Sequence, residues 1–268
     1  MLGTFILWFG WYGFNAGSAI ELDSPLQPMV IARSVVNTTL SGATAGVVGL
    51  LVNLFHSVRQ TGDPIYKLSA AMNGCLTGLA AITGSCGVIE PWSAIVIGAA
   101  AGLLYLYSSS LLDRFCIDDA VDAIPVHLVG GTWGVIATGL FSSPKALTQL
   151  FGYEPDHIGW FYSWGRGSGD FSLLGCQLVG LLFIYGWILG IMTPFFFTLN
   201  YMGMFRSDSL EEVVGLDVSY HGYNVHTLQG EVKEADLQEY YRKSKRYEFI
   251  DPVADENDVD VGNVDRFE

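Results

Sequence analysis

Charged residues are scarce in this chain, and their scarcity excludes several classes of protein. Lys, Arg, Asp and Glu make up 15% of the 268 residues, whereas about 25% is typical of soluble domains. The 13 Lys and Arg side chains are outnumbered by 27 Asp and Glu, which leaves a net charge of −14. Because nucleic-acid binding depends on basic side chains that neutralise phosphates, we expect no nucleic-acid partner.

Cysteine is also sparse, and the usual catalytic arrangements are missing. The four cysteines, at positions 75, 86, 116 and 176, have no metal-ligand spacing. Three of them lie in apolar segments, which favours buried free thiols over a disulfide framework. We recognise no nucleophile–base pair, metal cluster or nucleotide-binding loop in the sequence. The prediction is a protein that is not an enzyme and that uses no cofactor or metal.

Apolar residues, by contrast, are abundant and gathered into blocks. They make up 50% of the chain and give it a mean hydropathy of +0.36. Each block is about 20 residues long, which is the length that a helix needs to cross a hydrocarbon core of roughly 30 Å. A helix satisfies its own backbone hydrogen bonds where water is absent. The predicted fold is an all-α membrane protein with six spans, at residues 1–20, 28–55, 68–89, 91–112, 123–141 and 172–202.

The net charge is divided unevenly along the chain. Residues 1–206 hold 7 basic and 11 acidic side chains (−4), whereas residues 207–268 hold 6 and 16 (−10). An acidic segment with few aliphatic residues is typical of a water-exposed tail. We predict a transmembrane domain over 1–206 and a tail over 207–268 that is disordered towards its end. A modest bias of Lys and Arg places the tail and loop 56–67 in the cytoplasm, with loop 142–171 on the opposite side.

His127 interrupts the fifth apolar block. It follows the acidic residues Asp118, Asp119 and Asp122, and the next ionisable group is Lys145. An imidazole in hydrocarbon is costly, so the ring should face a partner or a cavity, where it is well suited to relay a proton near neutral pH. A pathway for something small and polar is the simplest interpretation. For the three aspartates we favour a structural role at a helix N-terminus over cation binding.

Five segments, in order, resemble the ammonium transporter (Amt/Mep/Rh) family. The amino-acid sequences of these segments are more similar to those of plant and algal Amt proteins than to those of Rh proteins. The segments are LGTFILWFGWYGFNAGSA (2–19), similar to the sixth of the family's eleven helices, ARSVVNTTLSGATAG (32–46), similar to the seventh, LSAAMNGCLTGLAAITGSCGVIEPWSAIVIGAAAGLL (68–104), similar to the eighth and ninth, DDAVDAIPVHLVGGTWGVIATGLF (118–141), similar to the tenth, and EEVVGLDVSYHG (211–222), similar to the cytoplasmic motif after the eleventh.

This resemblance implies which part of a transporter the chain represents. It would be the second of two inverted five-helix halves, followed by the eleventh helix and the tail, with the conduit between the halves. The histidine that partners His127 belongs to the fifth helix, in a first half that this sequence does not contain. We therefore expect a fragment of a longer transporter. With the first half present, the resemblance implies a homotrimer in the lipid bilayer of the plasma membrane.

The resemblance also assigns roles to four pore residues. Ser18 would accept an ammonium hydrogen at the outer mouth, where aromatic rings add cation–π attraction of about 0.5–2 kcal/mol each. Phe14 matches the family's gate phenylalanine, and Trp11 matches a tryptophan of the conduit wall. His127 would line a hydrophobic pore and stabilise neutral ammonia, with or without relaying the proton that separates from ammonium, and methylammonium would serve as a substrate analogue. Taken without the resemblance, the aromatic run and the serine are typical of helix packing.

Two positions beside the histidine depart from the family's pattern. The family usually has Gly directly after the histidine and often Cys three residues after it, where this sequence has Leu128 and Gly130. Leu128 adds bulk next to His127, and we expect it to shift the ring or narrow the local lumen.

The tail motif suggests regulation. Gly215, Asp217, Ser219 and His221 lie within the segment through which family trimers are thought to couple neighbouring subunits. Ser219 stands where plant relatives carry a phosphorylatable threonine, and phosphate would add about −1.5 to −2 charges near pH 7. Such a charge would disrupt a docked tail, whereas the plainer interpretation is a solvated serine.

Other functions remain open on the sequence. An ammonium sensor or regulatory partner would keep the fold but signal through the tail. A neutral-gas channel of the Rh kind would conduct without net charge. A truncated half could also be non-conducting on its own or require another half in trans.

Overall fold

The computed structural model of the chain describes residues 1–18 and 27–207. Every regular element in these ranges is helical, which confirms the predicted all-α class. The tail motif 211–222 and its four candidate regulatory residues lie outside the described residues, so their role stays a prediction. The helices are α1 (Leu2–Ser18), α2 (Gln27–Thr61), α3 (Leu68–Ile82), α4 (Pro91–Arg114), a π-helix (Ile124–Val129) that continues into α5 (Gly130–Phe141), α6 (Pro144–Phe151), α7 (Trp160–Gly165) and α8 (Ser172–Tyr201).

Helices occur at all six predicted spans, but they differ in length from the prediction. In the described part of the chain, α2, α4, the joined π-helix and α5, and α8 are long and apolar enough to cross a membrane. The first and third helices have only 17 and 15 residues. The protein is therefore a helical membrane protein whose third predicted span, 68–89, is helical over only part of its length.

A buried asparagine explains why α3 stops at Ile82. Beyond it the chain continues as a series of turns to Ile89. There the side-chain amide of Asn37, on α2, donates to the carbonyl oxygens of Cys86 at 2.8 Å and Ile89 at 3.0 Å. Buried carbonyls need partners, and Asn37 supplies two without a helix. The sequence pattern could not reveal this contact because it joins residues about fifty positions apart.

Close backbone packing runs between α2 and α4. A Cβ atom built on Gly102 would lie 2.6 Å from the carbonyl oxygen of Ala45, and one on Gly98 would overlap the backbone of Ser41. Since Ser41 precedes Ala45 as Gly98 precedes Gly102, the two helices run in the same direction. Small residues spaced four apart thus allow the helix backbones to approach.

The helix that follows the histidine uses the same device against α3. Gly130 packs against Thr77, where an added Cβ would lie 2.9 Å from the threonine methyl carbon, and Gly134 packs against the backbone of Ala81. These pairs show that α5 runs parallel to α3. The methyl group of Thr77 thus occupies the space that a side chain at position 130 would need.

The described residues divide into two compact units, Met1–Trp187 and a second that begins at Ile188, within α8. The first contains α1 to α7 and the beginning of α8. In the second, α8 ends beyond Tyr201 with Gly203 in the left-handed conformation (φ 69°), and the Met204 N–H donates to the Leu199 carbonyl at 2.9 Å, as in a glycine-terminated helix. The predicted boundary between residues 206 and 207 stays a prediction.

Candidate functional site

His127 lies in the π-helix, between the buried residues Pro125 and Val126 and the glycine-rich start of α5. Its side chain is exposed, and Leu128 beside it is 49% exposed. No described residue forms a hydrogen bond with the imidazole. The ring therefore points away from its own helices, on a face that the described residues leave uncovered.

The turn that carries the histidine is fixed at its N-terminal side by Asp119. Its carboxylate accepts hydrogen bonds from the backbone N–H groups of Ala123 at 2.8 Å and Ile124 at 2.7 Å. These donors have no partner within the helix that they begin, and a carboxylate is favourable at this position. The contacts agree with the structural role predicted for the acidic cluster.

Asp122 has a second structural role, which the sequence did not reveal. It adopts a left-handed backbone conformation with φ 56°. One carboxylate oxygen accepts from the Asn73 amide and the Tyr105 hydroxyl, each at 2.9 Å, and the other accepts from the Ser109 hydroxyl at 2.9 Å. Asp122 thereby joins α3 and α4 immediately before the π-helix. The only sequence signal was the presence of Asn73 and Tyr105 inside apolar blocks.

Two hydroxyl groups support the exit from the π-helix. The Thr132 hydroxyl donates to the Leu128 carbonyl and contacts the Tyr185 hydroxyl of α8. A π-helix interrupts the regular ladder of backbone hydrogen bonds, so a side-chain donor at this carbonyl helps to hold the wider turn. The segment with the histidine is consequently braced at both ends.

Side-chain hydrogen bonds fix α1, which carries the other three candidates, on α2 and α3. The Trp11 indole N–H donates to the Thr83 hydroxyl at 2.8 Å. The amide of Asn15, which is 1% exposed, donates to the Thr38 hydroxyl at 2.8 Å. The indole of Trp11 is therefore a partly buried, oriented group, as a wall residue should be.

Phe14 and Ser18 lie in the C-terminal part of α1. Phe14 is 60% exposed, and the exposed Ser18 hydroxyl donates to the Phe14 carbonyl at 2.7 Å. Because that bond uses the hydroxyl hydrogen, the lone pairs of Ser18 can accept hydrogen bonds from a donor such as ammonium.

The contacts order the four candidate residues along the bundle. Trp11 is level with Thr83, whereas Gly130, three residues after His127, is level with Thr77. At 1.5 Å per helical residue, Trp11 and Ser18 are roughly 10 Å apart along the axis. His127 lies roughly 13 Å from Trp11 on the opposite side, because six residues separate Thr77 from Thr83 and three more separate His127 from Gly130. Ser18 thus stands towards one end and His127 near the middle.

Comparison with known proteins identifies the family to which this arrangement belongs. Residues 1–225 match the Ammonium Transporter Family. The chain belongs to this family. It is 38% identical over 229 residues to Ammonium transporter 1 member 1 of Arabidopsis thaliana, covering 83% of this chain and 44% of the relative. It is 36% identical over 254 residues to Ammonium transporter 1 member 3 of Solanum lycopersicum, covering 92% and 54%.

Solved structures agree with this assignment. The crystal structure of Mep2 from Saccharomyces cerevisiae is similar with a TM-score of 0.66 and 26% identity, covering 78% of this chain and 43% of that one. A protein described as a sensor Amt protein is similar with a TM-score of 0.63 and 29% identity, covering 82% and 48%. The chain thus spans about half the length of the relatives that it matches. The predicted resemblance to the plant-like Amt branch is confirmed. The roles of Trp11, Phe14, Ser18 and His127 stay predictions.

Proposed function

We propose that the protein takes part in ammonium transport across a membrane and that His127 lines the conduit. The observation that carries this proposal is the orientation of the imidazole. It stands on a widened helical turn in an apolar helix, exposed and without a hydrogen-bond partner among the described residues. A polar ring in such a segment normally faces a partner or a cavity, and the family membership indicates which solute that cavity serves.

The energetics of dehydration suggest how the solute crosses. Stripping an ion of ammonium size of its water costs on the order of 20 kcal/mol by idealised estimates at low dielectric. In the proposed mechanism, lone pairs of Ser18 and nearby aromatic faces replace part of that water at the mouth. Phe14 excludes hydrated ions, and Trp11 forms the wall below it. At His127 ammonia is neutral, and the imidazole relays the proton that separates from it.

This mechanism would discriminate against potassium. A potassium ion has no N–H group to donate to Ser18 and no proton to leave behind. It would therefore keep its full charge in the apolar passage beside His127, where dehydration is least compensated.

The setting of this mechanism is also proposed. The conduit would form between these helices and a first half that covers the face around His127, in a homotrimer in the plasma membrane with the tail in the cytoplasm. Transport, and not an enzymatic reaction, would be its activity.

A sensing role is the second candidate, and one comparison favours it. The structural neighbour described as a sensor Amt protein shows that a fold of this kind occurs in a protein so named. In that case ammonium would bind near Ser18 and the response would pass to the acidic tail.

Methylammonium uptake distinguishes these functions. The 268-residue chain would be expressed in cells without ammonium transport of their own, alone and together with the first half of the Arabidopsis thaliana relative. We expect uptake in the combined cells and its loss in His127→Ala, while Asp156→Asn, an exposed loop change, leaves uptake unchanged. Uptake that survives His127→Ala would refute the role of the histidine. An ammonium-dependent change in tail proteolysis without uptake would favour sensing.

A further inference from the structure

Six aromatic side chains form a continuous cluster at one end of the bundle. The ring of Phe141 packs edge-on against Trp92, with centroids 5.8 Å apart. It also contacts Phe161 in a tilted arrangement, with centroids 5.0 Å apart. Trp160 contacts Phe161 at 5.2 Å and stacks on Trp164 at 5.8 Å, with 5° between the ring planes. The members of this aromatic cluster are Trp92, Phe141, Trp160, Phe161, Trp164 and Phe171.

The aromatic cluster coincides with the ends of three apolar helices. Trp92 is the second residue of α4, Phe141 is the last residue of α5, and Phe171 directly precedes α8. Each of these helices belongs to a segment that is long and apolar enough to span a membrane. The aromatic cluster therefore lies at the depth where the spanning segments begin and end.

The loop that carries four of these rings is packed against the bundle. The Gly159 N–H donates to the Ser142 carbonyl at 2.8 Å, and a Cβ at position 159 would lie 2.7 Å from that same oxygen. Farther along, the buried Ser163 hydroxyl accepts from the Asp170 backbone N–H at 2.5 Å. This close approach and this hydrogen bond hold α7, which carries Trp160, Phe161 and Trp164, at a fixed position relative to the end of α5.

The indole N–H groups of Trp160 and Trp164 differ in their hydrogen bonding from those of the tryptophans inside the bundle. Trp11 and Trp133 donate to Thr83 and to the Ile97 carbonyl at 2.8 and 3.0 Å. In contrast, the N–H groups of Trp160 and Trp164 form no hydrogen bond with any residue that the structure describes. The side chain of Trp164 is 66% exposed. A large apolar ring with an unused donor suits a boundary where one side is apolar and the other wet.

The same loop also carries charged groups. Glu154 and Asp156 are exposed. The His157 imidazole contacts the Asp170 carboxylate at 2.7 Å. Hydrogen bonds from Ser172, followed by the one from His157, lower the pKa of Asp170 to about 2, so this carboxylate stays ionised in water near neutral pH. The loop thus offers both an apolar and a charged surface.

From these observations we propose that residues 152–171 lie in the headgroup layer of the bilayer and form an interfacial anchor. Their partner is the phospholipid–water boundary: the exposed ring of Trp164 and the half-buried ring of Trp160 contact the upper acyl chains, and their N–H groups donate to phosphate or ester oxygens. The carboxylates of Asp156 and Asp170 face water. This proposal is independent of the transport mechanism, because it requires only that the apolar helices cross a membrane.

Site-directed spin labelling tests the depth of the loop. A nitroxide would be attached at Trp164→Cys in the 268-residue chain carrying Cys116→Ser and Cys176→Ser, reconstituted in phosphatidylcholine vesicles. Collision rates with oxygen and with a water-soluble nickel chelate report depth. The ratio of the oxygen collision rate to the nickel-chelate collision rate should be highest for Leu182→Cys in α8 and lowest for Asp156→Cys. We expect the ratio at position 164 to lie between these two values and to be several-fold above that at position 156. A ratio at position 164 equal to that at 156 would overturn the proposal.

A second measurement keeps the native cysteines. The tryptophan fluorescence of the unlabelled chain would be compared with that of the double variant Trp160→Phe/Trp164→Phe in lipids brominated near the headgroup or near the chain end. The difference in fluorescence between the two proteins is the emission of Trp160 and Trp164. We expect shallow bromines to quench it more than deep ones. Quenching by aqueous iodide with none by shallow bromines would refute an interfacial position.

Discussion

The carboxylate of Asp122 offers a quantitative test of how the histidine segment is held. It accepts three hydrogen bonds, from Asn73, Tyr105 and Ser109. Hydrogen bonds to charged groups contribute about 1.5–3 kcal/mol each, and a buried donor that loses its acceptor costs about 1–3 kcal/mol. Because the three bonds share one carboxylate, their losses do not add fully. We expect Asp122→Ala to lower the free energy of unfolding by about 3–5 kcal/mol.

Asp122→Asn is the matched comparison. Its carboxamide oxygen can keep the bonds from Asn73 and Tyr105, and its NH₂ group can donate to the Ser109 hydroxyl, which rotates to accept. Asparagine also tolerates the left-handed backbone conformation. This variant should therefore lose only the charge-assisted part, about 1 kcal/mol.

The free energy of unfolding would be measured by titrating sodium dodecyl sulfate into the purified chain in mixed micelles, with helicity followed by circular dichroism. Ser109→Ala, which removes one donor, should fall between the wild type and Asp122→Ala. If Asp122→Ala and Asp122→Asn destabilise the chain equally, the three-bond arrangement is not what stabilises this junction.

Three further predictions concern the remaining contacts. Asn37→Ala should destabilise the chain by about 2–4 kcal/mol, because two buried carbonyls lose their donor; the same titration measures this, and an unchanged midpoint would contradict it. Gly98→Ala should cost at least about 1–3 kcal/mol through overpacking against Ser41, whereas Gly131→Ala, with open space around it, should cost little; equal effects would disprove the packing argument. The pKa of Asp170 is lowered to about 2, so its contribution is complete above the unfolded value of about 3.9 and is lost as pH falls towards 2. The protection of the Ser172 amide against hydrogen exchange, relative to the intrinsic rate at each pH, should therefore fall over that range, and a protection profile identical to that of Asp170→Asn would exclude this linkage.

Sequence periodicity and length were sufficient for the helices but not for their interruptions. Blocks of about 20 apolar residues located all six helical regions. The end of α3 at Ile82 depends instead on Asn37, a contact between distant residues. No local pattern can contain such a contact.

The candidate site shows the same division. His127 was recognisable because an ionisable group in an apolar block is rare. Its bracing by Asp122 and Tyr185 was not, because each contacts partners on other helices. Sequence reasoning therefore located the candidate histidine and missed the side chains that hold its helical segment.

The π-helix changes the direction in which the His127 side chain points relative to α5. Such a turn accommodates one residue more than an α-helical turn, and each residue advances a helix by roughly 100°. Gly130 and Gly134 can therefore face α3 while the imidazole points in a direction that an uninterrupted helix would not give it. Deleting one residue between positions 127 and 130 would restore regular α-helical geometry and rotate the imidazole relative to Gly130 and Gly134. The one extra residue of the π-helix therefore sets the direction of the imidazole.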